Sequence, residues 1–479
     1  MIEEVVRDVD KIVNSNLYKD QKLRAIKTFI LPRLTFAFRT REIKKKALIS
    51  SVDKETHSRS NPSTKLRKLF RKILSLPHQS ESCYLYVSTN HGGAGLVDLY
   101  DEYHIQQLVQ AFRLLNSPDP TIADITKSSL VTTTCPRLKL NEPSLNRSLD
   151  WINGYEDSTP NNQSKKTWWI RVRKAISFLK TTHKISITYE SSINGLILRI
   201  TDAMQKTTVV ENCHRKQLTK ILHQTLQTSY LRAWSESKIS YLVCETVSIC
   251  KIVNQMIYKG ECGSFAWEFI HKARTNTIPI NARPMIKDST KRKCRRCHSS
   301  EETLTHALQA CVSNLSLINA RHNACLQILY EAIKNLDLII MVDETNPLLS
   351  EFESVSKMRI DLYIENVSEK TIHLIDVKCP IDMSGTFESS NLKNLQHYSE
   401  YCQKIREVKP KYSVELKTLI IGSLGSIPSE TFTIIRKLGI SEIKLKQIAK
   451  SLAITAIQHS AKIWHYHSSG ILLNLVQKT

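Results

Sequence analysis

Residues 358–379 read MRIDLYIENVSEKTIHLIDVKC, and this stretch decides the fold of the C-terminal third. Ile360, Leu362 and Ile364 alternate with Arg359, Asp361 and Tyr363, the period of two that sends successive side chains to opposite faces of a strand. A polar turn from Asn366 to Lys370 leads into a second strand-like run, Ile372 to Cys379. Asp376 and Lys378, two residues apart, then leave the second strand on one face, and Asp361 on the first strand of the hairpin reaches the same spot. Two carboxylates can hold Mg²⁺ or Mn²⁺ between hard oxygen ligands, with waters filling the other positions. Such an ion makes hydroxide available and neutralises charge developing on a scissile phosphate, while a nearby lysine polarises the water or the phosphate. Asp361, Asp376 and Lys378 are therefore the candidate catalytic residues, the two aspartates also being magnesium ligands. A solvated salt bridge on a surface hairpin would give the same short D-x-K pattern. Glu351 or Glu353, just upstream, is a weaker candidate for a third carboxylate.

Downstream, Leu392, Leu395, Tyr398, Cys402 and Ile405 recur at helical spacing, and Leu416 to Gly422 reads as a buried strand. Strands thus alternate with helices, and residues 340–479 read as an α/β domain. Ahead of about residue 340 the pattern is mostly helical, as in Leu66, Leu69, Phe70, Ile73 and Leu74 on one face of KLRKLFRKILSL after Asn61-Pro62-Ser63. Residues 117–164 are rich in Ser, Thr, Pro and Asn and look like a boundary, and 191–275 return to helical patterns. The fold class expected is α+β and multidomain, with the N-terminal two thirds mostly helical.

A second constellation is Cys294-x2-Cys297-x8-His306-x4-Cys311. Thiolate and imidazole are the ligands Zn²⁺ takes, and four of them close a tetrahedron, which makes a structural rather than a catalytic zinc site. His298 is a competing ligand. Lys291, Arg292, Lys293, Arg295 and Arg296 surround the first two cysteines and suit a zinc site close to nucleic acid.

The chain has 479 residues, with 68 Lys+Arg against 45 Asp+Glu, a net charge of +23, 41% hydrophobic residues and 12 Gly. That composition excludes disordered and fibrous classes, and the length suits about three domains. Its apolar runs are far short of the ~20 residues a membrane-spanning helix needs. The start, MIEEVV, has neither a cationic region nor an apolar one, so no secretory signal is expected, and the 12 cysteines fit a reducing compartment. An excess of this size suits a polyanionic partner, because each phosphate neutralised releases counterions. The excess is concentrated: residues 39–72 hold 12 Lys/Arg and 3 Asp/Glu, and residues 272–296 hold 9 and 1. Lys44, Lys45, Lys46, Arg67, Lys68 and Arg71 in the first patch and Arg292, Arg295 and Arg296 in the second are the candidate nucleic-acid contacts. A third segment, KKTWWIRVRKAISFLK (Lys165 to Lys180), sets Trp168 and Trp169 among six cations. Basic residues interleaved with aromatics suit a groove with stacking platforms, although tryptophans anchoring a surface helix in the core would give the same pattern.

Taken in order, these pieces resemble the C-terminal half of the polyprotein of site-specific non-LTR retrotransposons that carry a restriction-like endonuclease. LRAIKTFILPRLTFAF (Leu23 to Phe38) is similar to the reverse-transcriptase thumb segment, and LRKLFRKILSLP (Leu66 to Pro77) with GGAGL (Gly92 to Leu96) to the basic helix and glycine turn beyond it. ARTNTIPI (Ala273 to Ile280) resembles the short linker motif ahead of the knuckle; the Cys-Cys-His-Cys motif and then RHN (Arg321 to Asn323) follow in the same order. The resemblance implies a thumb-like helical region at 1–120, a helical linker region at 121–285, a zinc knuckle at 286–325 and a PD-(D/E)xK nuclease domain at 340–479. It further implies that Asp361, Asp376 and Lys378 take the catalytic places and that the nuclease nicks target DNA in the nucleus. The free 3′ end would then prime reverse transcription of the element's RNA. Two departures stand out: Ile360 replaces the proline before the first aspartate, and no Asp-Asp dipeptide occurs, so the polymerase palm is absent and another chain would have to supply it. The Met1 start just ahead of the thumb-like helix reads as a truncated gene product. A remnant that binds nucleic acid without cutting it is the alternative.

Overall fold

The computed structural model describes residues 1–43, 48, 61–156, 167–193, 195–238, 240–283 and 285–472. Lys44, Lys45 and Lys46 lie outside the described residues. The fold is mixed α and β, in two compact units: residues 1–73, 77–89 and 93–237 form one, and 74–76, 90–92 and 238–479 the other. The division at 237/238 cuts the expected linker region of 121–285, whose two parts belong to different units.

In the first unit, the Ser/Thr-rich stretch expected as a boundary is helical over Pro120–Leu138. Asp119 opens that helix by accepting from the Thr121 N–H. Its hydroxyls do not break the helix because they turn back onto it: Thr126 donates to the Ile122 carbonyl at 2.6 Å and Thr133 to that of Ser129 at 2.9 Å. A second difference is an antiparallel sheet, β1 (Ser186–Ser192), β2 (Gly195–Thr201) and β3 (Thr207–Val210), where helix was expected. Ile187, Tyr189, Leu196, Leu198 and Ile200 alternate into a core shared with Trp169, Val172, Ile176 and Leu179 of the Trp168–His183 helix.

That core corrects one expectation about the tryptophan pair. Trp169 is 1% exposed, so its ring offers no face to a nucleic-acid base. Trp168 packs half-buried against the same core and donates to Gln107 Oε1 at 2.9 Å.

The second unit is built on a four-stranded sheet in the order β4 (Ile339–Thr345), β5 (Arg359–Asn366), β6 (Thr371–Lys378), β7 (Ser413–Ile420). β4, β5 and β6 are antiparallel neighbours, and β7 runs parallel to β6. Parallel strands need a long crossover, supplied here by the helices Thr386–His397 and Ser399–Val408. Tyr398, Tyr401, Cys402 and Ile405 of this crossover pack with Tyr363, Ile372 and Leu374 of the sheet. The Leu315–Ile333 helix packs against β6 and along the final helix, Glu442–Ser469. No helix among the described residues is long and apolar enough to cross a membrane.

The contrasting burial of the tryptophan pair gives a stability prediction. Trp169→Ala is expected to cost the first unit about 3–5 kcal/mol and Trp168→Ala clearly less, as read from chemical denaturation followed by far-ultraviolet circular dichroism.

Candidate active site and metal cluster

Leu362 stands opposite Ile375 and Tyr363 opposite Leu374 in the antiparallel β5–β6 ladder. One further step of the same register sets Asp361 opposite Asp376, on one face, with Lys378 two residues along β6 on that face too. The structure places these three residues together at one end of the β5–β6 ladder. Asp361 Oδ2 accepts from the Val377 N–H at 2.6 Å and lies 3.0 Å from His322 Nε2. Asp376 is 1% exposed, and the Lys378 ammonium sits 2.7 Å from its Oδ2. That ion pair is close but poorly aligned, and Oδ2 accepts no hydrogen bond of adequate direction. Lys378 itself is 43% exposed, so its charge sits at the rim while the carboxylates lie beneath.

The electrostatics follow from this burial. Desolvation, and then the facing Asp361 carboxylate, push the Asp376 carboxyl above its ordinary value, against the pull of Lys378. The hydrogen bond to Asp361 outweighs burial at His322 and pushes its imidazole up to about 9. Tyr398, whose hydroxyl donates to the Arg359 carbonyl at 2.7 Å, is pushed up by burial and by both aspartates. His322 and Tyr398 are the neighbours that sequence reasoning missed. The RHN triplet pointed near the first, whereas nothing beyond helical spacing marked the second. Glu351 and Glu353 are exposed in the turns ahead of β5. A groove of about 770 Å³ runs beside β7, but Glu245, Glu388 and Glu430 among its lining residues do not suit a phosphate chain.

The ligand atoms of Cys294, Cys297, His306 and Cys311 lie within 4.8 Å of one another, so the second constellation also assembles. Cys294 and Cys297 meet in a tight turn, where Cys294 Sγ accepts from the N–H groups of Arg296 at 3.4 Å and Cys297 at 3.5 Å. His306 and Cys311 come from the short helix 306–310 and the residue after it. His298, the competing ligand, is exposed and left-handed with φ at 55°, outside the cluster. Burial works against ionisation of Cys297, but hydrogen bonds from Ser299 and from backbone N–H groups hold its thiol down at about 5. His467, from the far end of the final helix, lies with Nε2 3.7 Å from Cys294 Sγ. Asn314 Nδ2 donates to its Nδ1 at 2.9 Å, so the ring proton sits on Nε2, between Cys294 Sγ and the buried Glu302 Oε1 at 3.6 Å.

The cations divide by type. Arg71 is spent on Ser80 and Ser82, with bonds of 2.8–3.0 Å, and Arg67 reaches the Ser63 carbonyl, while Lys68 on the same helix is exposed. Arg292 forks onto Glu301 at 2.7 and 2.8 Å, and Arg295 pairs with the buried Glu302 at 2.7 Å. Arg296 donates to the His467 carbonyl at 2.9 Å and the Tyr466 carbonyl at 2.6 Å. Lys287, Lys291 and Lys293 are the exposed cations among the described residues of this segment.

No family model matches the chain. An uncharacterized protein of Caenorhabditis elegans is 22% identical over 288 residues, 59% of this chain and 80% of the nematode protein.

Like charges facing each other under cover are a stability cost that a neutral isostere removes. Asp376→Asn is expected to stabilise the second unit by roughly 0.5–2 kcal/mol, seen as a higher melting temperature in metal-free buffer. A lower one would mean that the ion pair with Lys378 outweighs the repulsion.

Proposed function

We propose that the second unit is a metal-dependent endonuclease that nicks DNA, of the restriction-like kind found in site-specific non-LTR retrotransposons. The observation that carries this reading is the cross-strand meeting of Asp361 and Asp376 with Lys378 beside them. A divalent cation is supported by the donor set itself: hard carboxylate oxygens, one of them buried and without a well-directed partner. Held by Asp361 and Asp376, Mg²⁺ or Mn²⁺ would supply a Lewis acid and a more acidic water.

The protein's own residues do the rest. The Val377 N–H fixes the Asp361 carboxylate, and the cross-strand register fixes Asp376 opposite it. Lys378, partly exposed at the rim, meets the phosphate and offsets charge gathering on its oxygens. Water adds to phosphorus and gives up a proton, the P–O3′ bond breaks, and a 3′-hydroxyl leaves. That hydroxyl is the end a polymerase borne by another chain would extend on the element's RNA, in the nucleus.

Zinc is the ion that suits the Cys-Cys-His-Cys cluster. A tetrahedral ion with Zn–S bonds of about 2.3 Å keeps its sulfurs about 3.8 Å apart, and Cys294 and Cys311 are 3.9 Å apart. Cys297 Sγ and His306 Nε2 are 3.3 Å apart. Four protein ligands leave no open position, so this zinc is structural. The His467 N–H directed at Cys294 Sγ belongs to the shell that steadies such ligands.

Purified protein is expected to nick supercoiled plasmid DNA with Mg²⁺ or Mn²⁺ and not with EDTA. Asp361→Ala and Asp376→Ala should abolish nicking, and Lys378→Ala should slow it at least ~100-fold. Salt-sensitive DNA binding with no cleavage under any divalent ion would leave only a binding remnant. For the knuckle, one zinc per chain is expected by elemental analysis, with His467→Ala weakening retention against a chelator roughly 10–100-fold.

A further inference from the structure

The RHN triplet sits where the Leu315–Ile333 helix passes the two aspartates, and its three side chains divide the work. Arg321 is 1% exposed; its Nη1 donates to Ser460 Oγ at 3.0 Å and its Nη2 to the Leu308 carbonyl at 3.0 Å. These bonds hold the turn that carries the next residue. His322 presents Nε2 to Asp361 Oδ2 at 3.0 Å, and its Nδ1 lies 3.1 Å from Asn323 Oδ1. Asn323 Oδ1 can only accept, so Nδ1 carries a hydrogen, and Nε2 faces the acids with the N–H it donates to Asp361, the proton a cation bound there would displace. Fixing a ring through its other nitrogen is how metal-binding imidazoles are normally oriented.

The spacing agrees. Adjacent donors at about 2.1 Å from an octahedral ion lie about 3.0 Å apart, which is the separation of Nε2 from Asp361 Oδ2. The His322 side chain is 29% exposed, so the position is reachable from solvent, unlike that of Asp376. We propose that His322 is a third ligand of the cation held by Asp361 and Asp376. The site is then a mixed oxygen and nitrogen one that favours a first-row transition ion such as Mn²⁺ over Mg²⁺. This rests on the metal site of the preceding subsection and adds to it a ligand from a helix and a choice of ion. Imidazole moves selectivity this way because Mg²⁺ takes oxygen donors almost exclusively, whereas transition ions accept nitrogen.

The test uses the full chain with its knuckle zinc retained and Mn²⁺ as the probe. Pulsed electron paramagnetic resonance of bound Mn²⁺ should show ¹⁴N modulation in the wild type and none in His322→Ala. Mn²⁺ affinity should fall at least ~10-fold in that variant, while Mg²⁺ should displace Mn²⁺ correspondingly more easily from it. Bound Mn²⁺ without ¹⁴N modulation in the wild type, or modulation surviving His322→Ala, would overturn the proposal. In either case, Mn²⁺ binding that is lost in Asp361→Asn and Asp376→Asn would leave the two-carboxylate site standing. Binding indifferent to both aspartate substitutions would overturn the two readings together. The wild-type spectrum decides by itself should the histidine variant fold poorly.

Discussion

The pairing of β5 with β6 in one register is the constraint on which the site depends. A slip of one residue would send Asp361 to the opposite face from Asp376 and Lys378, and no side-chain adjustment could restore the cluster. Polar ties at both ends of the ladder oppose that slip. At one end Asp361 accepts from the Val377 N–H of β6. At the other, buried Glu365 accepts from the Lys409 ammonium at 2.9 Å, from outside β5; its bond from the Tyr363 hydroxyl lies within β5 and would move with the strand. A slipped strand would take Asp361 from its β6 donor and Glu365 from its cation, which costs far more than shifting apolar side chains along a greasy face. The carboxylates thus help specify the register that brings the site together.

The division of labour among cations bears on how the proposed nuclease would meet nucleic acid. The guanidiniums of Arg71, Arg292, Arg295, Arg296 and Arg321 are all directed to acceptors within the protein. A planar fork with five donors suits this work, because one side chain can satisfy several carbonyls or a carboxylate at once. Lys65, Lys68, Lys72, Lys291 and Lys293 are exposed. Lysine is a flexible point charge, suited to phosphates and poor at reading base edges. The exposed lysines of these segments therefore favour adhesion that is strong, salt-sensitive and largely blind to sequence.

How much was legible in the sequence depended on whether the partners were local. Asp376 and Lys378 share a strand, and period two alone put them on one face; Asp361 needed only the hairpin turn in addition. The Cys-x2-Cys pair announced the knuckle in the same way. His322 and His467 were not legible as site neighbours, because each arrives on a helix whose rotation and depth are set by tertiary packing. The β1–β3 sheet is a different case. Its alternation at Ile187, Tyr189, Leu196, Leu198 and Ile200, in two runs brought together with Ser192 opposite Gly195, is a period-two signal that was overshadowed by the helical period of the Leu218–Ser235 segment. In Pro120–Leu138 composition misled, since Ser and Thr lower helix propensity only modestly, and here their hydroxyls are satisfied by carbonyls one turn back along the same helix.

The two constellations look independent in the sequence, with 64 residues between Cys311 and Asp376, yet in the fold they share a wall. Gln309, between the cluster residues His306 and Cys311, donates to the carbonyl of Cys379 at 2.9 Å. Cys379 directly follows Lys378. Ser423 donates to the same carbonyl at 2.9 Å, and Arg321, one residue before His322, spans Leu308 and Cys379. The loop holding Ser423 is pinned in turn by Asp382, which accepts from the Ser426 N–H at 2.8 Å, and Gly422 leaves room for it, since a Cβ there would come within 2.3 Å of the carboxylate. The short helix 306–310 is held by Asn314 at the Ala307 carbonyl and by Arg321 at that of Leu308, and closure of the four-ligand cluster would stiffen it further. A stiff helix there holds the end of β6, and with it the base from which Lys378 reaches toward solvent. On the proposed function, the cluster would act on the chemistry through backbone carbonyls rather than through charge, which is the role a closed, structural metal site is able to play.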